Sequence, residues 1–261
     1  MTPASAGISA ANPGAIAVGA SPLAQRDRAP AILRIGGITP FSSTDWPGKL
    51  AAVLFLQGCP WRCGYCHNPH LQPGEREGGH DFASILAWLD RRRGLLDAVV
   101  FSGGEPTAHA ELGPAMREVA ARGFGIGLHT GGAYPRRLAE VLPQVDWIGF
   151  DVKAPARDYA AVTGIAGSAA AAGVSLKLVV ESHVDFEVRT TVHPALVGDD
   201  ALLIVADELA SLGIERWVLQ PFRPAGCADA ALVAAAPHGA RIGEGLLARL
   251  RARVPGVAVR S

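Results

Sequence analysis

The sequence predicts an α/β fold, a full or partial (β/α) barrel of about six strand–helix units around a parallel sheet. Three observations predict it. Short apolar runs alternate, from residue 31 onward, with segments whose apolar residues recur at helical spacing. Repeated strand–helix–strand units lay their strands parallel, with helices outside the sheet. Six or so such units in roughly 230 residues suit a barrel, since a complete eight-unit barrel runs to about 250.

Taken in order, apolar runs predict strands at 32–38, 52–57, 98–102, 126–129, 147–152, 175–180, 188–193 and 216–220. The spacing of Phe82, Ile85, Leu86 and Leu89 predicts a helix over 82–93, and similar patterns predict helices over 114–122, 136–142, 200–212 and 242–253. The Ala/Gly-rich stretch 166–173 reads as a loop or short helix between units. Lys177 interrupts the run 174–180, so it either faces a ligand inside the barrel or snorkels outward. Arg189 lies in a later strand and, if buried, needs a partner. Polar motifs follow several of these strands at the same end, where cofactor chemistry collects in barrels of this type.

Residues 1–30 differ from the rest. They are rich in Ala, Gly, Ser and Pro and carry no aromatic residue, so they cannot bury enough surface to offset their ordering entropy. A basic start followed by a continuous apolar segment is missing, which argues against a secretory signal. The expected organisation is a flexible tail over 1–30 and one domain over 31–261, in a cytoplasmic protein. The 261 residues include 49% hydrophobic and 18% charged side chains, with 24 Lys and Arg against 24 Asp and Glu. That balance supplies no field for nucleic acid or an anionic membrane surface, and no apolar run is long enough to span a bilayer.

The four cysteines are Cys59, Cys63, Cys66 and Cys227, three of them within eight residues. Three thiols so close cannot all pair with one another, and a disulfide scaffold would be smaller and richer in cysteine. Clustering of this kind favours metal ligation. Thiolates are soft ligands that suit iron–sulfur clusters and zinc. A 4Fe–4S cluster usually takes four cysteines; with three, one iron keeps an open position at which a small molecule can be activated. The competing reading is a structural zinc site completed by Cys227 or a histidine, although zinc sites usually show paired C-x2-C knuckles and only one such pair is present.

The spacing C-x3-C-x2-C, with Tyr65 as the aromatic before Cys66, resembles the signature of the radical S-adenosylmethionine (SAM) superfamily. The extension Cys66-His67-Asn68-Pro69 is similar to the glycyl-radical-enzyme activases, and the stretch from Asp45-Trp46-Pro47-Gly48 through Asn68 resembles the activating proteins of anaerobic ribonucleoside-triphosphate reductase. The resemblance covers roughly 33–223. It implies one 4Fe–4S cluster on Cys59, Cys63 and Cys66 whose open iron chelates SAM. An electron from the reduced cluster then cleaves the sulfonium, and the 5′-deoxyadenosyl radical abstracts hydrogen from a glycine of a partner enzyme. It also implies a flavodoxin or ferredoxin as electron donor. Extra ferredoxin-type clusters would need further thiols, so a single cluster is expected, with Cys227 a free thiol or a residue near the partner surface.

Other motifs are similar to SAM-contacting elements of that family. Ser102-Gly103-Gly104-Glu105-Pro106 follows a buried strand; Gly103 and Gly104 allow close backbone approach, and Glu105 offers an acceptor for an ammonium group. Asp151 and Lys153 stand at alternate positions and share one face; the resemblance places them beside the SAM and substrate pocket, with Thr130 and Tyr65 as further SAM contacts. At His129-Thr130-Gly131-Gly132 the chain departs from the pyruvate formate-lyase activating pattern, where Asp-Thr-Asn-Gly helps hold a monovalent cation. His129 leaves that site without its acid and reads as a hydrogen-bonded histidine on the core rim. Gln220-Pro221-Phe222-Arg223 is a further candidate for ligand contact. The expected function is activation of anaerobic ribonucleotide reductase. The alternatives are a radical SAM enzyme acting on a small molecule and a non-catalytic zinc-binding adaptor.

Overall fold

The structure, a computed structural model, describes Met1 and residues 33–74, 79–236 and 242–260. The expected tail over 1–30 lies outside the described residues apart from Met1. Strand β1 (Ile35–Ser42) turns back through a loop onto β2 (Ala51–Leu56). There follow α1 (Phe82–Asp90), β3 (Ala98–Gly103), α2 (Leu112–Ala120), β4 (Gly125–Thr130), α3 (Pro135–Val141) and β5 (Trp147–Asp151). Then come α4 (Tyr159–Thr163), α5 (Ser168–Glu181), β6 (Asp185–Val192), α6 (Asp199–Ser211) and β7 (Arg216–Pro221). The described chain closes with α7 (Ala230–Ala235), α8 (Glu244–Arg251) and β8 (Gly256–Val259).

The eight strands form one sheet in the order β1 to β8. All neighbours from β2 onward are parallel, and β2 to β7 are each followed by helix, which makes six strand–helix units. The sheet stays open, a partial barrel. Strand β1 departs from the all-parallel expectation: it pairs antiparallel with β2, with register shifts at Ile35/Gly37 and Thr39/Ser42. A loop of a few residues cannot carry out the crossover that a parallel pairing requires.

Alternation along the strands builds two cores. On one face Ala52, Leu54, Leu56, Val99, Phe101, Ile126, Leu128, Ile148 and Phe150 pack under the helices. The opposite parity carries Ala51, Val53, Ala98, Val100 and Trp147, which Trp46 covers from the β1–β2 loop. The Trp46 indole stacks on Trp147, with centroids 5.7 Å apart and planes 16° apart. Gly125 and Gly127 leave room for it, since a Cβ at Gly127 would lie 3.0 Å from the Trp46 ring. Towards the C-terminal strand ends the same parity turns polar: Ser102, His129, Asp151, Arg189, Thr191 and Gln220 line a pocket there.

The strand expected over 175–180 is instead the second half of α5, and the Ala/Gly-rich stretch before it is that helix's first half. The run of Val and Leu reads as strand by composition. However, Ala172, Ser175, Leu176 and Val179 are the buried positions, at helical spacing, and tertiary burial of that stripe decides the conformation. Lys177 therefore points to solvent and is no pocket residue. The helices α4 and α7 and the edge strand β8 were not anticipated; β8 is four residues with a single buried position, too short for a periodic signal. No helix among the described residues is long and apolar enough to cross a membrane.

Candidate active site

The loop after β2 carries the three clustered cysteines, and its backbone is pinned along much of its length. Gly58 N–H donates to Leu71 O (2.6 Å), Cys59 N–H to Gln72 O (3.1 Å), Arg62 N–H to Thr163 O (2.7 Å) and Cys66 N–H to Cys63 O (3.0 Å). Trp61 is buried, edge-on to Tyr159 at 5.9 Å. The indole lies against Gly131, where a Cβ would meet the ring at 2.4 Å. The cysteines are free, half-buried thiols, and all three line a pocket of about 270 Å³ at the C-terminal strand ends. Burial, followed by the nearby Glu105 carboxylate, pushes the Cys59 thiol up to about 12, and burial raises that of Cys63. Thiols held neutral in this way become thiolates when a metal centre supplies the missing positive charge.

The loop after β3 meets the cysteine loop from the side. Gly104 N–H donates to Leu56 O (2.8 Å) and Glu105 N–H to Gly58 O (2.9 Å). The approach leaves no space for a side chain at Gly104: a Cβ would lie 2.4 Å from Gly58 O and 3.3 Å from Cys59 Cβ. Glu105 is 2% exposed. Its Oε1 accepts from Thr107 N–H (3.1 Å), Thr107 Oγ1 (2.6 Å) and Thr130 Oγ1 (2.7 Å), and its Oε2 from Gly131 N–H (3.0 Å). The carboxylate thus braces the β3 and β4 loops against each other while forming part of the pocket wall. Its engagement by four protein donors makes it first of all an architectural group.

Asp151 and Lys153 share a face as expected, joined by a 2.9 Å ion pair. Arg189 comes to the same carboxylate from β6, with Nε 3.3 Å from Asp151 Oδ1. Arg189 is 6% exposed and also donates to Gly149 O (3.1 Å). Gly149 leaves the space that the guanidinium occupies, since a Cβ there would sit 2.1 Å from it. Burial pushes the Asp151 carboxyl up, but the Lys153 and Arg189 charges outweigh it and hold the group at about 2.

His129 does sit on the core rim. Its Nε2 lies 2.8 Å from Asp45 O and its Nδ1 3.2 Å from Ser102 Oγ, each within hydrogen-bond distance. Burial, then the Arg189 guanidinium 3.1 Å from Nε2, pushes the imidazole down to about 3. The ring is therefore neutral and links the β1–β2 loop to the pocket.

The structure brings all ten expected site residues onto this pocket. Cys59, Cys63, Cys66 and Tyr65 come from the cysteine loop, Gly103, Gly104 and Glu105 from the β3 loop, and Thr130, Asp151 and Lys153 from the ends of β4 and β5. The Tyr65 hydroxyl is buried and without a partner among the described residues. Of the weaker candidates, Gln220 reaches the pocket. Asp45, Trp61, His67, Ser102 and Thr191 also line it without having been singled out as site residues; Thr191 carried no sequence signal, whereas the other four lie within the motifs that were read.

Three soft donors on a pinned loop, facing a polar wall and an unpartnered hydroxyl, fit a thiolate-held cluster with room for a polar ligand beside it.

Comparison with known proteins agrees with this geometry. A Methanocaldococcus jannaschii protein that carries the name of a glycyl-radical enzyme activating enzyme is 34% identical over 125 residues, covering 46% of this chain and 50% of that one. A pyruvate formate-lyase-activating enzyme of Clostridium pasteurianum is 32% identical over 139 residues, covering 50% and 57%. The chain spans about half the length of the curated relatives it matches. The fold is that of QueE from Escherichia coli, with a TM-score of 0.52 at 20% identity over 78% of this chain and 91% of that one. The sequence profile of the radical SAM superfamily, whose members use a 4Fe–4S cluster and SAM, matches residues 53–203, which take in β2 to β6 and the cysteine, Gly-Gly-Glu and Asp-x-Lys motifs. On that match and this pocket, the chain belongs to the radical SAM superfamily.

Proposed function

We propose that the chain is an activase that generates a glycyl radical on a partner enzyme, with anaerobic ribonucleotide reductase as that partner and a flavodoxin or ferredoxin as electron donor. The observation that carries the proposal is the meeting of the three thiols with the Gly103-Gly104 backbone and the Asp151–Lys153 pair in one pocket. The names of the relatives support the glycyl-radical class, and the stretch from Asp45 to Asn68 supports the reductase as partner.

In this reading Cys59, Cys63 and Cys66 hold the 4Fe–4S cluster, which when bound supplies the electron that cleaves SAM. The residues of the chain position the reactants. Gly103 and Gly104 let the backbone lie against the methionyl end of SAM, and Glu105 keeps that loop in place. Thr130 and Tyr65 border the nucleoside. Lys153, anchored by Asp151, gives the pocket a fixed positive charge suited to a carboxylate. Packing by Trp61 and the floor under Trp46 exclude water from one side, which protects a radical from quenching.

The test is anaerobic purification and reconstitution, followed by incubation with SAM, a reductant and the purified reductase. The expected results are about four irons per chain, SAM cleavage that disappears when any of Cys59, Cys63 or Cys66 becomes Ala, and a glycyl-radical EPR signal only with the reductase present. Turnover of a small molecule without the reductase would overturn the activase assignment. A colourless protein holding one zinc would overturn the cluster.

A further inference from the structure

We propose that the segment from the end of β7 into α7, residues 222–232, is a clasp on the cysteine loop that sets how long the cluster is retained. This rests on the reading that Cys59, Cys63 and Cys66 hold a cluster. The clasp contacts the loop on both sides of Cys66. Before it, Cys227 Sγ donates to Gly64 O (3.4 Å), and Leu232 Cδ1 lies 3.0 Å from where a Cβ on Gly64 would sit. After it, the His67 ring stacks on Phe222 with centroids 5.6 Å apart and planes 20° apart, and His67 Nε2–H donates to Arg223 O (3.0 Å). Gly226, at φ +87°, packs so closely that a Cβ would fall 2.5 Å from His67 O.

These contacts matter because the rest of the loop is held elsewhere. Cys59 is fixed by Gln72 and the neighbouring Gly58 by Leu71, and Arg62, just before Cys63, by Thr163. Around Cys66 the loop is held by its own link to Cys63 O and by the clasp. The third thiol therefore depends on a segment more than 150 residues away. The clasp is itself anchored. His193, 0% exposed, donates to Leu232 O (3.0 Å), accepts from Ala195 N–H (3.2 Å) and meets Phe222 edge-on at 4.8 Å. Asp229 caps α7 by accepting from Ala231 and Leu232 N–H, each at 3.0 Å. Its outer side, from Arg223 to Gly226, is exposed, so opening it would bare the loop to solvent. Release of a cluster begins with loss of one ligand, and the ligand whose backbone is held by a solvent-facing segment is the one to leave first.

The experiment uses the full chain, reconstituted anaerobically, and follows iron transfer to a ferrous chelator together with bleaching of the visible iron–sulfur band. Cys227→Ala should still bind the cluster but release iron about fivefold faster, the factor equivalent to one hydrogen bond of about 1 kcal/mol. Cys227→Ser should return towards the wild-type rate, because its hydroxyl still donates to Gly64 O. Phe222→Ala and Gly226→Ala should also release faster, with circular dichroism of the cluster-free chains confirming that they fold. Release within twofold of wild type in Cys227→Ala and Gly226→Ala alike would overturn the clasp. So would absence of the cluster from both Cys227 variants, since Cys227 would then be a ligand. A wild-type chain that takes up no iron overturns the cluster reading instead, and the clasp with it.

Discussion

Glu105 gathers donors from Thr107, Thr130 and Gly131 on one buried carboxylate, so its replacement tests the loop architecture directly. Glu105→Gln turns one acceptor into a donor that faces an N–H or hydroxyl already pointing at it. The expected loss is about 1.5–3 kcal/mol, the range for hydrogen bonds to a charged group, read by urea unfolding of the cluster-free chain; an unchanged midpoint would show that the carboxylate does not brace the loops. His129 gives a pH-dependent counterpart. The folded ring stays neutral down to about 3, whereas an unfolded histidine titrates near ~6.5. Between those values the unfolded chain binds more protons, so the contribution is fully present above about 6.5 and is lost as pH falls, by at most about 1.4 kcal/mol per pH unit. Comparison with His129→Gln isolates the effect: any stability advantage of the wild type at pH 7 should shrink at pH 5, and a gap constant with pH would remove the buried neutral histidine from the account.

Among the elements, the β1–β2 loop does the least expected work. It drops Trp46 onto Trp147 and onto the space left by Gly125 and Gly127, and it thereby holds Asp45 beneath His129. Trp46→Ala should cost about 3–5 kcal/mol, the usual penalty for emptying a large aromatic site. It should also abolish the near-ultraviolet circular dichroism of the stacked indole pair; retention of that signal would refute the stack. The helix α5 allows the opposite test. Lys177 lies on its exposed face, so Lys177→Ala should leave stability within about 0.5 kcal/mol and SAM binding unchanged. A strand residue facing the pocket would behave otherwise.

For the molecule as a whole, the open sheet has to manage its two edges. One is closed by the antiparallel β1, which buries Ile35 and Ser42 but leaves Phe41 exposed. The other is β8, four residues long, secured by Arg260 reaching across β7 to Glu187 on β6. Arg260 makes paired bonds of 2.6 and 2.9 Å to that carboxylate, which is 6% exposed. The bidentate bonds and the buried acid make this pair worth more than an ordinary surface bridge. Arg260→Ala strands the acid, and the expected loss is about 1–3 kcal/mol. In a domain of this size that lowers the melting temperature by about 2–4 °C per kcal/mol. A melting temperature equal to wild type would mean the β8 edge is not held by this pair.

The chemistry of this protein was readable in the chain because its motifs are local. Cysteines spaced three and two residues apart, a Gly-Gly-Glu turn and an Asp-x-Lys pair at a strand end each span a few residues, and backbone geometry places such neighbours without reference to the rest of the fold. The six strand–helix units were readable for a related reason, since period-two and helical apolar patterns are written in adjacent positions. What was not readable depends on partners far along the chain. The direction of β1, the helical state of 175–180, the grip of Arg189 on Asp151, the seat of Trp46 and the contact between 222–232 and the cysteine loop arise when the fold aligns residues far apart in the chain, 163 positions in the case of Gly64 and Cys227. Those contacts are selected by burial and charge compensation across the whole sheet, and no window of the sequence contains both partners.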